Sequence, residues 1–393
     1  MALDRIWIDA LANLESAGRL RALRAVERLE GGRVSHGGRT LLDFSSNDYL
    51  GLSRHPELAR RAADFAQRWG AGASSSRLIS GNLEPFAQVE EKVAAAKGTE
   101  AAMVLASGWQ TNAGVLPALF DARILGKEPL VFSDKLNHAS IHQGCRAAGV
   151  RQLRFRHLDL DHLEALLIRH QADSAPKFVV SESVFSMDGD QADVPALVAL
   201  AERFGAFLYL DEAHATGVLG KDGFGLAAGL GDRIGLVMGT FSKALGGFGG
   251  YVACSKPLRD YLVNRCSGLV YSTGLPPAVL GAMDAALDLV PTMGADRLRL
   301  QRNAASFRDR LRAAGIDVGP STTQIVPAIV GADRLAVAIA RRLEEEGFMA
   351  AAIRPPTVPE GTSRLRFSLS AAHRSEDVER LADATIAALQ DLA

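Results

Sequence analysis

The sequence predicts an α/β fold: a large domain with a mostly parallel sheet between helices, and a smaller α+β C-terminal domain. Short apolar runs at 101–106, 129–133, 178–182, 206–211, 235–239 and 250–254 alternate with helical stretches, the pattern of strands joined by crossover helices. Polar residues gather where these runs end, at Glu182-Ser183, Asp211-Glu212-Ala213-His214 and Thr240-Phe241-Ser242-Lys243; open α/β sheets bind ligands at such strand ends. The 393 residues also exceed what one simple core accommodates, so a second domain is expected.

The elements follow in order. Leu3, Ile6, Leu11, Leu14, Leu20, Leu23 and Val26 recur at roughly helical spacing, predicting a helix over 3–29 that Gly31-Gly32 ends. Residues 40–52 read as a short strand entering a loop, and 70–82 as a Gly- and Ser-rich connector. A helix from about Glu84 to Lys97 puts Phe86, Val89 and Val93 on one face and stops at Gly98. Beyond the alternating region, a long helix ends near Leu311. A strand at 324–330, a helix at 333–346 and strands at 348–353 and 363–370 follow. Ser375 is expected to cap a final helix, with Glu376 and Asp377 at its positive end. The expected organisation is a helical arm over 1–46 packing with the small domain, a large domain over 47–290 and the small domain over 291–393.

Composition excludes several classes. With 48% hydrophobic and 23% charged residues and a formal net charge of -1, nothing steers the chain toward nucleic acid or an anionic membrane. Arg19, Arg21 and Arg24 read as a solvated helix face. Three widely spaced cysteines, Cys145, Cys254 and Cys266, argue against a disulfide framework and a zinc site and suit a reducing compartment. The acidic start lacks the pattern of a secretion signal, and no apolar stretch is long enough to span a bilayer, so a cytoplasmic location is expected.

The strongest chemical signal is Lys243, at a strand end beside Gly246-Gly247-Phe248-Gly249-Gly250. A partly buried lysine loses its proton more readily and can form a Schiff base. Thr240 and Ser242 offer hydroxyls to a phosphate. Asp211, entering the interior at a strand end, needs a cationic partner; a protonated pyridine nitrogen is one, although an ordinary strand-end turn reads equally well. Ser107-Gly108-Trp109, between a strand and a helix start, presents free N–H groups and a positive dipole end. His138 either stacks on a flat cofactor or is structural. Asp188-Gly189-Asp190 reads as a metal site or as a tight turn. Arg354, followed by Pro355-Pro356, can grip a carboxylate or lie in a rigid connector. There is no P-loop, no nucleophile elbow and no zinc-protease motif.

Taken together, Ser-Arg-Leu-Ile-Ser-Gly at 76–81, Phe-Ser-Met-Asp-Gly-Asp at 185–190, Asp-Glu-Ala-His at 211–214 and Thr-Phe-Ser-Lys at 240–243 stand in a specific order. The chain resembles, nearly end to end, the α-oxoamine synthases, pyridoxal-phosphate enzymes of the fold-type I aminotransferase class. The stretch Ala352 to Pro359, with Arg364-Leu365-Arg366 after it, is similar to the biotin-pathway branch, which joins L-alanine to a pimeloyl thioester; a glycine C-acetyltransferase is the sibling alternative. The resemblance implies pyridoxal 5'-phosphate as a Schiff base on Lys243, which also moves the substrate's α-proton. It pairs Asp211 with the pyridine nitrogen, places His214 and Ser186 at the phenolic oxygen, and stacks His138 on the ring. Gly108, Trp109 and Thr240 are implied at the phosphate, and Thr273 at the phosphate of a neighbouring subunit in a homodimer with a shared active site. Asn47 and Arg354 are implied at the amino-acid carboxylate, and Arg24 and Thr357 at the acyl substrate. The acyl carrier, coenzyme A or an acyl carrier protein, stays open.

Overall fold

The computed structural model describes residues 2–392. Contacts divide the chain into a larger unit, Leu52–Phe185 with Gln191–Arg297, and a smaller one comprising the residues up to Gly51, Ser186–Asp190 and those from Leu298 onward.

The larger unit is built on seven strands: β1 Ala101–Leu105, β2 Leu130–Asp134, β3 Gln152–Phe155, β4 Lys177–Glu182, β5 Ala206–Asp211, β6 Leu236–Thr240 and β7 Gly250–Cys254. Their order is β1-β7-β6-β5-β4-β2-β3. From β6 to β3 every pairing is parallel, while β7 runs antiparallel to both β1 and β6. Alternate side chains enter two cores. Phe178, Val180, Tyr209 and Met238 meet the helices Gly108–Leu119, Ala139–Ala147 and Lys256–Arg265 on one face. Val179, Leu208, Leu210 and Val237 meet Leu160–Arg169 and Val194–Arg203 on the other. Burial on both faces explains the continuous apolar runs, each large side chain contributing about 1.5–3 kcal/mol. The sequence gives no sign of β3, whose Gln152, Leu153 and Arg154 lie at the sheet edge and are not buried.

Two glycines shape the end of the sheet where β6 finishes and β7 begins. Gly239 faces Tyr251 across β6 and β7, and a Cβ there would lie 2.2 Å from the Tyr251 hydroxyl. Gly250 pairs with Leu105 on one side and Thr240 on the other, and a Cβ on it would lie 2.9 Å from the Gly108 nitrogen. The missing side chains make room for the Tyr251 ring at Gly239 and for the start of the helix Gly108–Leu119 at Gly250.

In the smaller unit, the strands Glu27–Leu29, Arg33–His36 and Arg39–Asp43 form an antiparallel meander, joined in parallel by Phe348–Met349. A second sheet orders Ile325–Gly331, Ser363–Ser368 and Ala351–Ile353. Ser186–Asp190 joins this unit because Arg364 pairs with Asp188 at 2.6 Å, Thr323 donates to the Gly189 carbonyl at 2.8 Å, and Arg366 donates to the Ser186 carbonyl. The Asp188–Asp190 stretch is thus a turn, with Gly189 at φ +69°, and among the described residues no cluster of three metal-ligating side chains occurs.

Three expectations are corrected. The N-terminal helix covers Ala2–Ser16 and not 3–29: Gly18, at φ +69°, breaks it, and the N–H groups of Ala17, Gly18 and Arg19 close on Asn13, Glu15 and Leu14. The expected strand at 348–353 is two strands in two sheets, because the chain leaves its pairing with Arg39–Asp43 and takes up Ser363–Ser368. Ser375 opens the helix Ser375–Leu392 as its first residue, and its hydroxyl donates to Asn303 at 3.0 Å instead of capping. Among the described residues no single helix is long and apolar enough to cross a membrane.

Candidate active site

In the larger unit, sheet register assembles a polar cluster. Glu182 stands opposite Asp211 across β4 and β5, and Asp211 opposite Met238 across β5 and β6. The Asp211 carboxylate is buried and accepts from the Asn112 amide and from the Ala213 N–H, both at 2.9 Å. Both donors are neutral N–H groups. Glu182, fully buried beside it, accepts from the His138 N–H. Burial, and then the charge of Asp211, push the Glu182 carboxyl well above the usual range, against the opposing pull of Lys243, so it favours the neutral acid.

Lys243, three residues past β6, lies with its Nζ 2.8 Å from His214 Nε2. His214 is held by the turn after β5, where the N–H groups of Ala215 and Thr216 close on the Glu212 carbonyl. The Glu212 N–H in turn bonds the Met238 carbonyl in β6 at 2.8 Å. The turn carrying His214 and the strand leading to Lys243 are therefore fastened together at Glu212. The Glu212 side chain is buried in an ion pair with Lys97 at 2.7 Å.

An anion site adjoins the cluster. Ser107 caps the helix Gly108–Leu119 by accepting from the Gln110 N–H at 3.1 Å. The first-turn N–H groups of Gly108 and Trp109 have no intrahelical acceptor and carry the positive end of the dipole. A Cβ on Gly108 would lie 3.7 Å from Thr240 Oγ1, which puts the helix start beside the end of β6. Thr240 donates to the Gly249 carbonyl at 2.7 Å, so the proton shared over the 2.7 Å contact between Thr240 and Ser242 comes from Ser242. His138 caps the helix Ala139–Ala147 through its ring Nδ1, and Trp109 meets the ring edge-on at 6.0 Å. Burial lowers the His138 pKa and favours the neutral ring. Thr273 is exposed and bridges to Ser76.

The remaining predicted residues lie in the smaller unit. Asn47 Oδ1 accepts from the Tyr49 hydroxyl at 3.0 Å and from Arg366 at 3.2 Å, which turns the amide so that its N–H groups face away from these partners. Arg354 donates to the Gly18 carbonyl, and its buried Nε has no hydrogen-bond partner. Arg24 is engaged by Glu344 at 2.7 Å and His36 at 3.2 Å. Thr357 is exposed, and Ser186 is half-buried.

A buried carboxylate, a lysine touching an imidazole, and a capped helix start between two strand ends match what a cofactor with a phosphate and a basic ring nitrogen needs. The family model for aminotransferase class I and II matches residues 39–384. This chain belongs to that family. A protein of Magnetococcus marinus, provisionally named 8-amino-7-oxononanoate synthase, is 59% identical over 378 residues, 96% of each chain. The 8-amino-7-oxononanoate synthase of Gluconacetobacter diazotrophicus is 56% identical, covering 99% of this chain and 97% of that one. Among solved structures, a serine palmitoyltransferase from S. paucimobilis with bound PLP and myriocin superposes with TM-score 0.90 at 28% identity, over 98% of this chain and 97% of that one. An 8-amino-7-oxononanoate synthase from Francisella tularensis gives TM-score 0.76 at 25% identity, over 89% and 98%. The fold is that of the fold-type I aminotransferases, a mixed sheet between helices.

Residues of this family member that the motifs did not reveal are those behind the site. Asn112, Ser140 and Tyr209 are buried polar groups of the cluster, and Lys97 is buried behind it against Glu212. Asn112 and Tyr209 leave a faint trace, as polar groups inside an otherwise apolar helix and strand. Lys97 leaves none, because a lysine at a helix C-terminus ordinarily reads as a dipole partner.

Proposed function

We propose that this chain is a pyridoxal-phosphate enzyme that condenses L-alanine with a pimeloyl thioester, giving 8-amino-7-oxononanoate, carbon dioxide and the free thiol. The observation that carries the reading is Lys243 Nζ within 2.8 Å of His214 Nε2, next to the buried Asp211 carboxylate. The names of relatives such as that of Gluconacetobacter diazotrophicus support the substrate pair.

When bound, the cofactor supplies an electron sink for the pairs released at the substrate's α-carbon and in decarboxylation. Lys243 would hold it as a Schiff base. Asp211 would balance a protonated ring nitrogen, keeping the ring electron-poor, and His214 and Ser186 would hold the phenolic oxygen. The Gly108 and Trp109 N–H groups and the Thr240 hydroxyl would bind the phosphate, the threonine by giving up its bond to Gly249. His138 would lie against the ring. Asn47 and Arg354 would orient the alanine carboxylate, and Arg24 and Thr357 would contact the acyl chain.

Lys243, as a free amine, would take the α-proton of alanine and later return a proton to the same carbon. Its contact with His214 keeps the amine in reach of a second nitrogen for this exchange. A homodimer with a shared site in the cytoplasm completes the reading; the exposed Thr273, two residues from Tyr271 at 86% exposure and in a β-bridge with Ser76, suits a neighbouring subunit's phosphate.

The test is product analysis by mass spectrometry. L-alanine with pimeloyl-CoA, or with pimeloyl-acyl carrier protein, is expected to give 8-amino-7-oxononanoate. Turnover of glycine with acetyl-CoA, or of serine with palmitoyl-CoA, and of neither pimeloyl pair, overturns the substrate assignment.

A further inference from the structure

One buried side chain reaches two of these residues at once. Asn112, 1% exposed, lies four residues after Gly108 and three after Trp109 in the helix Gly108–Leu119. That spacing puts its side chain on the helix face that also carries the anion-binding start. Its amide nitrogen donates to Asp211 Oδ2 and to Ser140 Oγ, each at 2.9 Å. Its oxygen accepts from the Tyr209 hydroxyl at 2.5 Å.

We infer that Asn112 is a positioning residue that fixes Asp211 and His138 together, aiming the carboxylate and holding His138 with its ring proton on Nε2. The inference rests on the reading of Asp211 and His138 as cofactor residues.

The direction of each bond follows from donor chemistry. An ionised carboxylate only accepts, so the side of Asn112 facing Asp211 must be the NH2 group. The opposite side is then the oxygen, and Tyr209 must donate to it. The second amide N–H occupies a lone pair of Ser140 Oγ. The Ser140 hydroxyl proton is thereby free to point at His138 Nδ1, 2.7 Å away. The Ser140 backbone N–H also points at Nδ1, at 3.3 Å. A ring nitrogen that accepts two hydrogen bonds carries no proton, so the neutral imidazole holds it on Nε2. Flipping the amide would set its oxygen against the Asp211 carboxylate and leave the Tyr209 hydroxyl facing an NH2 group. The charge of Asp211 thus dictates the amide orientation, the amide dictates the polarity of Ser140, and Ser140 helps dictate the tautomer of His138.

The experiment uses full-length protein with three substitutions. Cofactor affinity is read as the dissociation constant for pyridoxal phosphate from quenching of intrinsic fluorescence. The His138 tautomer is read from its imidazole nitrogen chemical shifts, assigned with a His138→Gln control. Asn112→Leu is expected to raise the dissociation constant at least about tenfold, the scale of a lost hydrogen bond to a charged group. It is also expected to admit a fraction of the Nδ1–H tautomer, because the Ser140 hydroxyl is then free to accept from the ring in competition with the Ser140 backbone N–H. Ser140→Ala is expected to keep the Nε2–H tautomer, since the backbone N–H of residue 140 still faces Nδ1, and to change the dissociation constant by less than about twofold. Tyr209→Phe frees the amide oxygen and is expected to raise the dissociation constant severalfold; it decides the matter if Asn112→Leu does not fold. The inference is overturned if Asn112→Leu leaves tautomer and affinity as in the wild type, if Ser140→Ala weakens the cofactor as much as Asn112→Leu does, or if Tyr209→Phe leaves affinity unchanged. Should the wild type bind no pyridoxal phosphate, the proposed function fails, and the tautomer measurement still judges the positioning role.

Discussion

Lys97→Met is expected to cost more stability than almost any other single substitution in the larger unit. The Lys97 and Glu212 side chains are 1% and 0% exposed. Lys97 Nζ donates to Glu212 at 2.7 Å, to Thr216 Oγ1 at 3.2 Å and to the Phe224 carbonyl. Burial alone would lower the lysine's pKa, but the charge of Glu212 outweighs it and the pKa is raised. The lysine's own contribution is therefore fully present below the ordinary lysine range and is lost as the pH climbs through that raised value. Removing the ammonium leaves the Glu212 carboxylate buried with the Ala227 N–H as a remaining donor, at 2.9 Å. Breaking a buried pair in this way costs about 3–5 kcal/mol. Neutralising both partners removes the stranded charge, so Lys97→Met/Glu212→Gln is expected to regain at least about half of the loss. Urea unfolding followed by circular dichroism, on wild type and the two variants, gives the three free energies. A Lys97→Met protein within about 1 kcal/mol of the wild type, or a double variant no better than the single one, would refute the reasoning.

Two further expectations concern other parts of the chain. Burial lowers the pKa of His373 to about 4, so its neutral form stabilises the fold fully above the ordinary histidine range near 6.5 and loses that contribution as the pH falls through 4. The difference in urea stability between wild type and His373→Leu should therefore shrink by about 3 kcal/mol from pH 7 toward pH 3.5; a pH-independent difference would contradict this. Gly239→Ala puts a methyl group 2.2 Å from the Tyr251 hydroxyl and 2.3 Å from its Cζ, and is expected to cost about 1–3 kcal/mol by overpacking; equal melting temperatures for Gly239→Ala and wild type would show that the sheet absorbs the contact.

How much of this was legible in the sequence depended on what each residue touches. The strands with two buried faces announced themselves, because continuous apolar runs such as Phe178 to Val180 have no other use in a chain of this charge. Edge strand β3 did not, since one exposed side lets it carry Gln152 and Arg154. The N-terminal spacing suggested one helix through Val26, yet Gly18 in the left-handed region ended it at Ser16. Lys243, Asp211 and His214 could be picked out because each stands at, or within a few residues of, the end of an apolar strand. The groups that orient them could not, because Asn112 reaches Asp211 across 99 positions and Lys97 reaches Glu212 across 115. Such contacts are written in the tertiary fold and not in local spacing.

The most direct test of the central claim is chemical trapping on Lys243. Purified protein with pyridoxal phosphate is reduced with borohydride, digested, and mapped by mass spectrometry. The account predicts a phosphopyridoxyl group on Lys243, with no incorporation in Lys243→Ala. Incorporation on a different lysine, or none in a protein that is folded, would contradict it.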